Sequence, residues 1–189
     1  MNKRGFILVF IGSFLICSSF VLQMYNTYQN RNAGVVASRT YNEIKETLLR
    51  VEDDFDTNSI TIDGNDYIGT ILIPTLGLEL PIMSDWDNEK MKIAPCRYYG
   101  SIYTNDLVLC SHSYDNLLGN IKDLNVSDLV IINDIRGEQF IYKVEVIEVL
   151  GPDDVTEMIE NDFDLTLYTC TSDGLNRITI RCNRVKNTI

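Results

Sequence analysis

Eighteen residues without a charge, GFILVFIGSFLICSSFVL from Gly5 to Leu22, open the chain just behind Lys3 and Arg4. A run of this kind has no polar face with which to lie on a soluble core. Its length approaches the roughly 20 residues that a membrane-spanning helix needs, whereas the apolar core of a cleavable secretory signal is only about 7–15 residues. No small-x-small cleavage pattern follows it; the next residues are Gln23, Met24 and Tyr25. Residues 1–28 therefore read as a short cytoplasmic start and an uncleaved transmembrane signal-anchor, with a cleaved signal peptide as the alternative. Lys3 and Arg4 place the N-terminus in the cytoplasm. The expectation is a single-pass protein of the cell membrane with everything after about residue 28 outside.

The chain of 189 residues is long enough for one well-buried domain beyond such an anchor. Its net charge of −11 excludes a phosphate-binding face of the kind nucleic acids require. All 27 acidic residues lie beyond the apolar run. The outer part is thus repelled by an anionic membrane surface, while a small polar or peptide ligand stays open.

Residues 29–59 include YNEIKETLLRVEDDF, in which Tyr41, Ile44, Leu48, Val51 and Phe55 fall at helical spacing. This segment reads as an amphipathic helix, a stalk or linker, with a solvated spacer as the alternative. From Ser59 the period changes. SITIDG, YIGTILIP, LELPIM, DLVLCSHS, DLVIINDI, EQFIYKVEVIEVL, DLTLYTC and RITIRC are short β-type runs. Turn signals such as Asp63-Gly64, Leu76-Gly77 and Arg136-Gly137-Glu138 separate them. Eight strands so spaced predict a mainly β domain over 60–189, a closed barrel or a sandwich. DNLLGNIKDL adds a short helix or turn, and the acidic connection GPDDVTEMIENDFD a helical turn around Val155–Ile159.

Four cysteines follow the anchor. Cys110 and Cys182 sit inside apolar strands, where a free thiol behaves as a small hydrophobe. An even count in an exported domain also admits disulfides. A Cys/His zinc site is disfavoured by the single histidine and the lack of any CxxC. Cys170 differs from the others, because it ends a strand among Thr169, Thr171 and Ser172. Arg177 opens the next strand after the short Thr171–Asn176 loop, so the two face each other across a hairpin at its open end. His112, the only histidine, ends the strand LVLCSH; alone, it is as consistent with a plain surface role. Together the three residue types suit acyl transfer through a thioester. A cation favours the thiolate, an imidazole protonates the departing amine and deprotonates the incoming one, and a guanidinium holds the developing charge.

At these residues the chain resembles the sortases, cysteine transpeptidases that anchor proteins to the Gram-positive cell wall. Thr166-Leu167-Tyr168-Thr169-Cys170 matches the family's TLxTC motif. Arg177 stands where the family's arginine opens the last strand, with Arg181, on the same strand face, as a rival. Ser111-His112 matches the end of the strand that carries the family's histidine, with Ser111 where a glycine is usual. Ile68–Pro74 and Leu80-Pro81-Ile82 resemble the early strand pair. The likeness covers about 60–186 and suggests class A or class D; the short loop before Arg177 argues against the haem-acquisition class.

The resemblance implies an eight-stranded sortase-type β-barrel with short helices, preceded by the transmembrane helix. It implies Cys170 as nucleophile, His112 as proton donor and acceptor, Arg177 as the stabilising guanidinium, and Thr169 and Leu167 as substrate-binding residues. The substrate would be a surface protein bearing an LPXTG-like sorting signal, and the acceptor an amine of a peptidoglycan precursor or pilin. No cofactor is implied. Some relatives bind calcium through an acidic loop, and Glu157, Glu160, Asp162 and Asp164 are candidates, although a solvated loop is the preferred reading. A thiol hydrolase using the same site, a silent anchored binding domain, and a disulfide-stapled domain remain as alternatives.

Overall fold

In the computed structural model, residues 3–50 and 59–185 are described, with side chains for 7–47 and 59–185. They form two compact units, one up to Asn32 and one from Ala33 onward.

The first unit is the leading part of helix α1 (Lys3–Arg50). Phe10, Phe14, Phe20 and their apolar neighbours are all exposed, and the helix is long and apolar enough to cross a membrane. The serine pair inside the run leaves no hydroxyl unpaired. Ser18 Oγ donates to Phe14 O at 2.9 Å and Ser19 Oγ to Ile16 O at 2.7 Å. Such back-bonding lets small polar residues sit in an apolar helix.

The second unit is a β-barrel. Its strands are β1 (Ile60–Ile62), β2 (Asn65–Ile73), β3 (Leu78–Met83), β4 (Cys96–Tyr99), β5 (Leu107–Cys110), β6 (Leu129–Asp134), β7 (Gln139–Leu150), β8 (Leu165–Cys170) and β9 (Arg177–Arg184). The order β1-β2-β3-β4-β5-β8-β9-β7-β6 closes on itself because β2 also pairs with β6, Gly69 against Asp134 through Leu72 against Ile131. Closure leaves the barrel proper no free edge.

The barrel thus has the expected eight strands, β2 to β9, but one member differs. SITIDG supplies β1, which turns back through Asp63-Gly64 and lengthens the β2 edge beyond β6. The strand absent from the sequence reading is β4, CRYY. It is short, follows Pro95, and meets β3 at a single parallel bridge, Met83 against Cys96. Without it β3 and β5 have no common neighbour. The remaining expected elements are present, including a 3-10 segment at Leu118–Asp123 and helix α2 (Val155–Ile159).

Alternation fills the barrel. Ile71, Ile73, Leu109, Ile132, Leu165, Leu167 and Ile180 point inward from their strands, with Leu117, Leu118 and Ile121 packed among them. A smaller outer cluster gathers Tyr67, Met83, Ala94, Cys96 and Cys110. The trailing part of α1 covers both: Ala33 and Ala37 join the first cluster and Ile44 the second. Its buried stripe is Ala33, Ala37, Thr40 and Ile44, at helical spacing. Of the face expected from sequence, Ile44 is buried and Tyr41 partly so, while the Leu48 side chain, Val51 and Phe55 lie outside the described residues. The stripe is made mainly of small residues, which let the helix approach closely.

Candidate active site

Three adjoining strand ends build the site. β5 and β8 run parallel with Cys110 beside Tyr168, and the contact continues past both strands. The Ser111 N–H donates to Tyr168 O at 3.4 Å, and Thr169 Oγ1 donates to Ser111 O at 2.9 Å. One residue further, His112 follows β5 on the side of the sheet end where Cys170 closes β8. On the other side β8 and β9 are antiparallel, and Cys170 pairs with Arg177. Directly paired residues share a face, so Cys170 and Arg177 emerge together on the outer surface of the barrel. The strand ends that carry His112, Cys170 and Arg177 therefore adjoin at one end of the sheet.

Each is held locally. The Thr171–Asn176 loop is tied by Thr171 N–H to Asn176 O at 2.9 Å, Gly174 N–H to Thr171 O at 2.8 Å, and a hydrogen bond between Thr171 Oγ1 and the Asp173 carboxylate. Those bonds hold Asp173 below the usual carboxylate range, through the Thr171 hydroxyl first and then the Leu175 N–H. They also fix the point at which β9 begins. Arg177 Nη1 donates to Asn176 O at 3.1 Å and Gly174 O at 3.4 Å. It lines a shallow cleft with Tyr98, Tyr168, Pro152, Val155 and Met158.

His112 is partly buried, more so than its strand-end position suggests. Its backbone N–H donates to Met91 O at 2.9 Å. Its ring stacks on Tyr114, with centroids 4.3 Å apart and planes at 24°. Nδ1 is buried without a hydrogen-bond partner. Burial lowers the imidazole pKa from its ordinary 6.5, and the charge of Lys92 adds to the effect.

Two residues hold the His112 loop in ways that composition did not reveal. Ser111 is buried, and its hydroxyl donates to His112 O at 2.9 Å while accepting from Leu118 N–H at 3.1 Å. It thus pins both ends of the turn, a role that the usual glycine has no side chain to fill. Gly34 of α1 lies against the same loop. A Cβ there would sit 2.5 Å from Asn116 Nδ2 and 2.9 Å from Asn116 Cβ, too close for any side chain unless the loop moved.

Arg181, the rival guanidinium, shares the outward face but is buried at 2% exposure. Nε donates to the Glu148 carboxylate at 2.8 Å, Nη1 to Thr166 Oγ1 at 3.0 Å and Met158 O at 3.2 Å, and Nη2 to Glu157 O at 2.7 Å. It clamps α2, one wall of the Arg177 cleft, onto β8 and β9.

Leu167 and Thr169 were expected to contact substrate, and here the structure corrects the sequence reading. Both alternate inward on β8: Leu167 is fully buried in the core, and Thr169 is buried with its hydroxyl spent on Ser111 O. The outward positions of that strand are Thr166, Tyr168 and Cys170.

All five cysteines are free. Burial pushes the Cys110 thiol up to about 12, and raises Cys96 and Cys182 as well. Among the described residues no group of three His, Cys, Asp or Glu side chains is gathered to hold a metal. Asp164, one of the acidic-loop candidates, instead accepts Arg184 N–H at 2.7 Å.

The family model of the sortase domain matches residues 71–185, more than half of the chain. The chain belongs to the sortase family. Its fold agrees with solved sortases. Sortase C1 from Streptococcus agalactiae is 25% identical with a TM-score of 0.59, over 70% of this chain and 73% of that one. Sortase C from Clostridium perfringens, solved with the C-terminal cell wall sorting motif, is 21% identical with a TM-score of 0.57, over 89% and 99%. A lid mutant of sortase A from Corynebacterium diphtheriae gives 21% and 0.57, over 79% and 96%. No curated protein sequence matches. This sortase is thus a cysteine transpeptidase by family, and its relatives of known structure carry class A, C and D names alike.

Proposed function

We propose that this sortase is a membrane-anchored transpeptidase that cleaves an LPXTG-like sorting signal at Cys170 and passes the acyl group to a cell-wall or pilin amine. The observation that supports the reading is the adjoining of the three strand ends to which Cys170, His112 and Arg177 belong. The Cys170 thiolate attacks the carbonyl carbon after the signal's threonine, and Arg177 stabilises the oxyanion. The C–N bond breaks, and protonated His112 gives its proton to the departing amine. Burial makes that imidazolium the stronger acid. An acceptor amine then attacks the thioester carbonyl and loses its proton to His112, which restores the thiolate as leaving group. The sorting-motif complex of the Clostridium perfringens sortase C supports the choice of substrate.

Residues 1–28 serve as the single membrane span with its N-terminus in the cytoplasm, residues 29–59 as the link, and 60–189 as the catalytic domain outside. The exposed apolar side chains of α1 support the span, and Lys3 and Arg4 support the orientation.

The test is product analysis with an LPETG peptide and triglycine. The account expects a peptide–triglycine conjugate. Cleavage to the free threonine carboxylate alone, unchanged by added amine, assigns the same site to a hydrolase. No turnover by either route leaves an anchored binding domain.

A further inference from the structure

A histidine that moves a proton is ordinarily oriented through its second ring nitrogen, which bonds to a carboxylate or a carbonyl and so fixes the ring. His112 lacks that support. Its Nδ1 is buried and has no hydrogen-bond partner among the described residues. Nδ1 therefore neither anchors the ring nor reaches a substrate, and Nε2 is the nitrogen left to exchange protons. The last side-chain torsion of a histidine is broad, so without a polar tether the ring plane has to be set by packing.

Tyr114 supplies that packing. The two rings are stacked, with centroids 4.3 Å apart and planes at 24°. A flat neighbour at this distance holds the plane of the imidazole without a hydrogen bond. Its π-face also accepts the imidazolium that forms when the ring is protonated, so the stack tolerates both protonation states of a group that must cycle between them.

Tyr114 is itself fixed. It is half-buried and packs against the main core cluster, of which Leu117 and Leu118 are fully buried members. Its carbonyl accepts Leu117 N–H at 2.9 Å and Gly119 N–H at 3.0 Å, closing the turn that leads into the 3-10 segment at Leu118–Asp123. On the other side of His112, Ser111 O accepts the Thr169 hydroxyl of β8. The stack thus ties the imidazole to the barrel core rather than to a loose loop tip.

We propose that Tyr114 is a positioning residue for the reaction: its ring holds the plane of the His112 imidazole so that Nε2 is aimed at the departing and incoming amines. The inference rests on the proposed transpeptidation. Proton transfer depends on alignment, and a misplacement of about 1 Å costs on the order of 10²-fold. The aromatic face does the holding, not the phenol hydroxyl, so phenylalanine serves in its place. A substrate with a thioester in place of the scissile amide releases a thiolate, which leaves without a proton from His112, so it isolates the step that Tyr114 supports.

The experiment pairs NMR of the full chain in detergent micelles, its histidine labelled with ¹³C, with single-turnover cleavage. His112 is the only histidine, so its ring signals are unambiguous. In the wild type and in Tyr114→Phe they should lie upfield, shielded by the stacked ring, and in Tyr114→Leu they should move downfield. With an LPETG peptide, Tyr114→Leu should release the leaving group about 10–100-fold more slowly than the wild type. Tyr114→Phe should stay within about twofold, because it keeps the aromatic face. The Tyr114→Leu loss should shrink to under about threefold on the thioester, whose leaving group draws on no general acid. Tyr114→Met, which fills the space with a flexible chain, replaces Tyr114→Leu if that variant does not fold. The proposal is overturned by ring signals in a folded Leu or Met variant that match the wild type, by a Tyr114→Phe loss as large as that of Tyr114→Leu, or by equal slowing on the two substrates. A wild type that cleaves neither substrate sinks the transpeptidase reading and this role with it, whereas the spectra decide separately whether the stack orders the ring.

Discussion

Replacing Arg181 with lysine separates a structural guanidinium from a functional one. The arginine is buried and makes four hydrogen bonds, to Glu148, Thr166, Met158 O and Glu157 O. A lysine Nζ reaches toward Glu148 but cannot span the fan of the other three acceptors. At least two buried acceptors then lose their donor, at about 1–1.5 kcal/mol each. Glu148 is 37% exposed on its side chain, so water recovers part of the ion-pair loss. The total comes to about 2–4 kcal/mol, and at roughly 2–4 °C per kcal/mol for a domain of this size the melting temperature should fall on the order of 10 °C. Arg177→Lys, half-exposed and bonded only to carbonyls of its own loop, should melt within about 2 °C of the wild type while losing on the order of 10²-fold in rate. Calorimetry and peptide-cleavage rates at a temperature where both variants are folded make the comparison. If Arg181→Lys melts like the wild type yet abolishes turnover, the reasoning fails and Arg181 is the functional cation.

Other consequences follow from the His112 loop and the thiols. Ser111→Ala removes the bridge between His112 O and Leu118 N–H, and should cost about 1–3 kcal/mol for the buried donor left unpaired, read from a urea melt. His112 is the sole imidazole, so its NMR titration is unambiguous, and the midpoint should lie below 6.5. The unfolded state then binds more protons than the folded one as pH falls toward and below that value, so the His112 contribution to stability is lost on the acid side. Gly34→Leu drives a side chain into Asn116, so it should displace the loop and move the midpoint back up toward 6.5; an unchanged midpoint in a folded variant would remove Gly34 from any positioning role. Of the four cysteines beyond the apolar run, iodoacetamide should label Cys170 well ahead of the buried Cys96, Cys110 and Cys182, as peptide mapping would show.

Elements whose apolar residues alternate or repeat strongly were legible from sequence, and those held by tertiary geometry were not. The TLxTC run and RITIRC set the β8–β9 register, and the structure pairs Cys170 with Arg177 as the short loop requires. CRYY gave no alternation to read, and β4 exists because β3 and β5 need a common neighbour. The buried stripe of α1 runs through Ala33, Ala37 and Thr40, whose small side chains carry little hydropathy but permit the approach of Gly34 to Asn116. Arg181 reads as an outward strand position. Only the fold brings Glu148 and the carbonyls of α2 over it. Leu167 and Thr169 belong to the motif, yet strand alternation already turned them inward, and the period-2 rule was the better guide to their side chains. Ser111 stood out as a departure, but its partner Leu118 lies across a turn that sequence alone does not close.

The central claim is that Cys170 carries the acyl group. Brief incubation with an LPETG peptide, acid quench and tryptic mapping by mass spectrometry test it most directly. The account expects the mass of the peptide's acyl part on the fragment containing Cys170, its loss when triglycine is added before the quench, and no adduct in Cys170→Ala. An acyl mass on another residue, or turnover retained by Cys170→Ala, would contradict it.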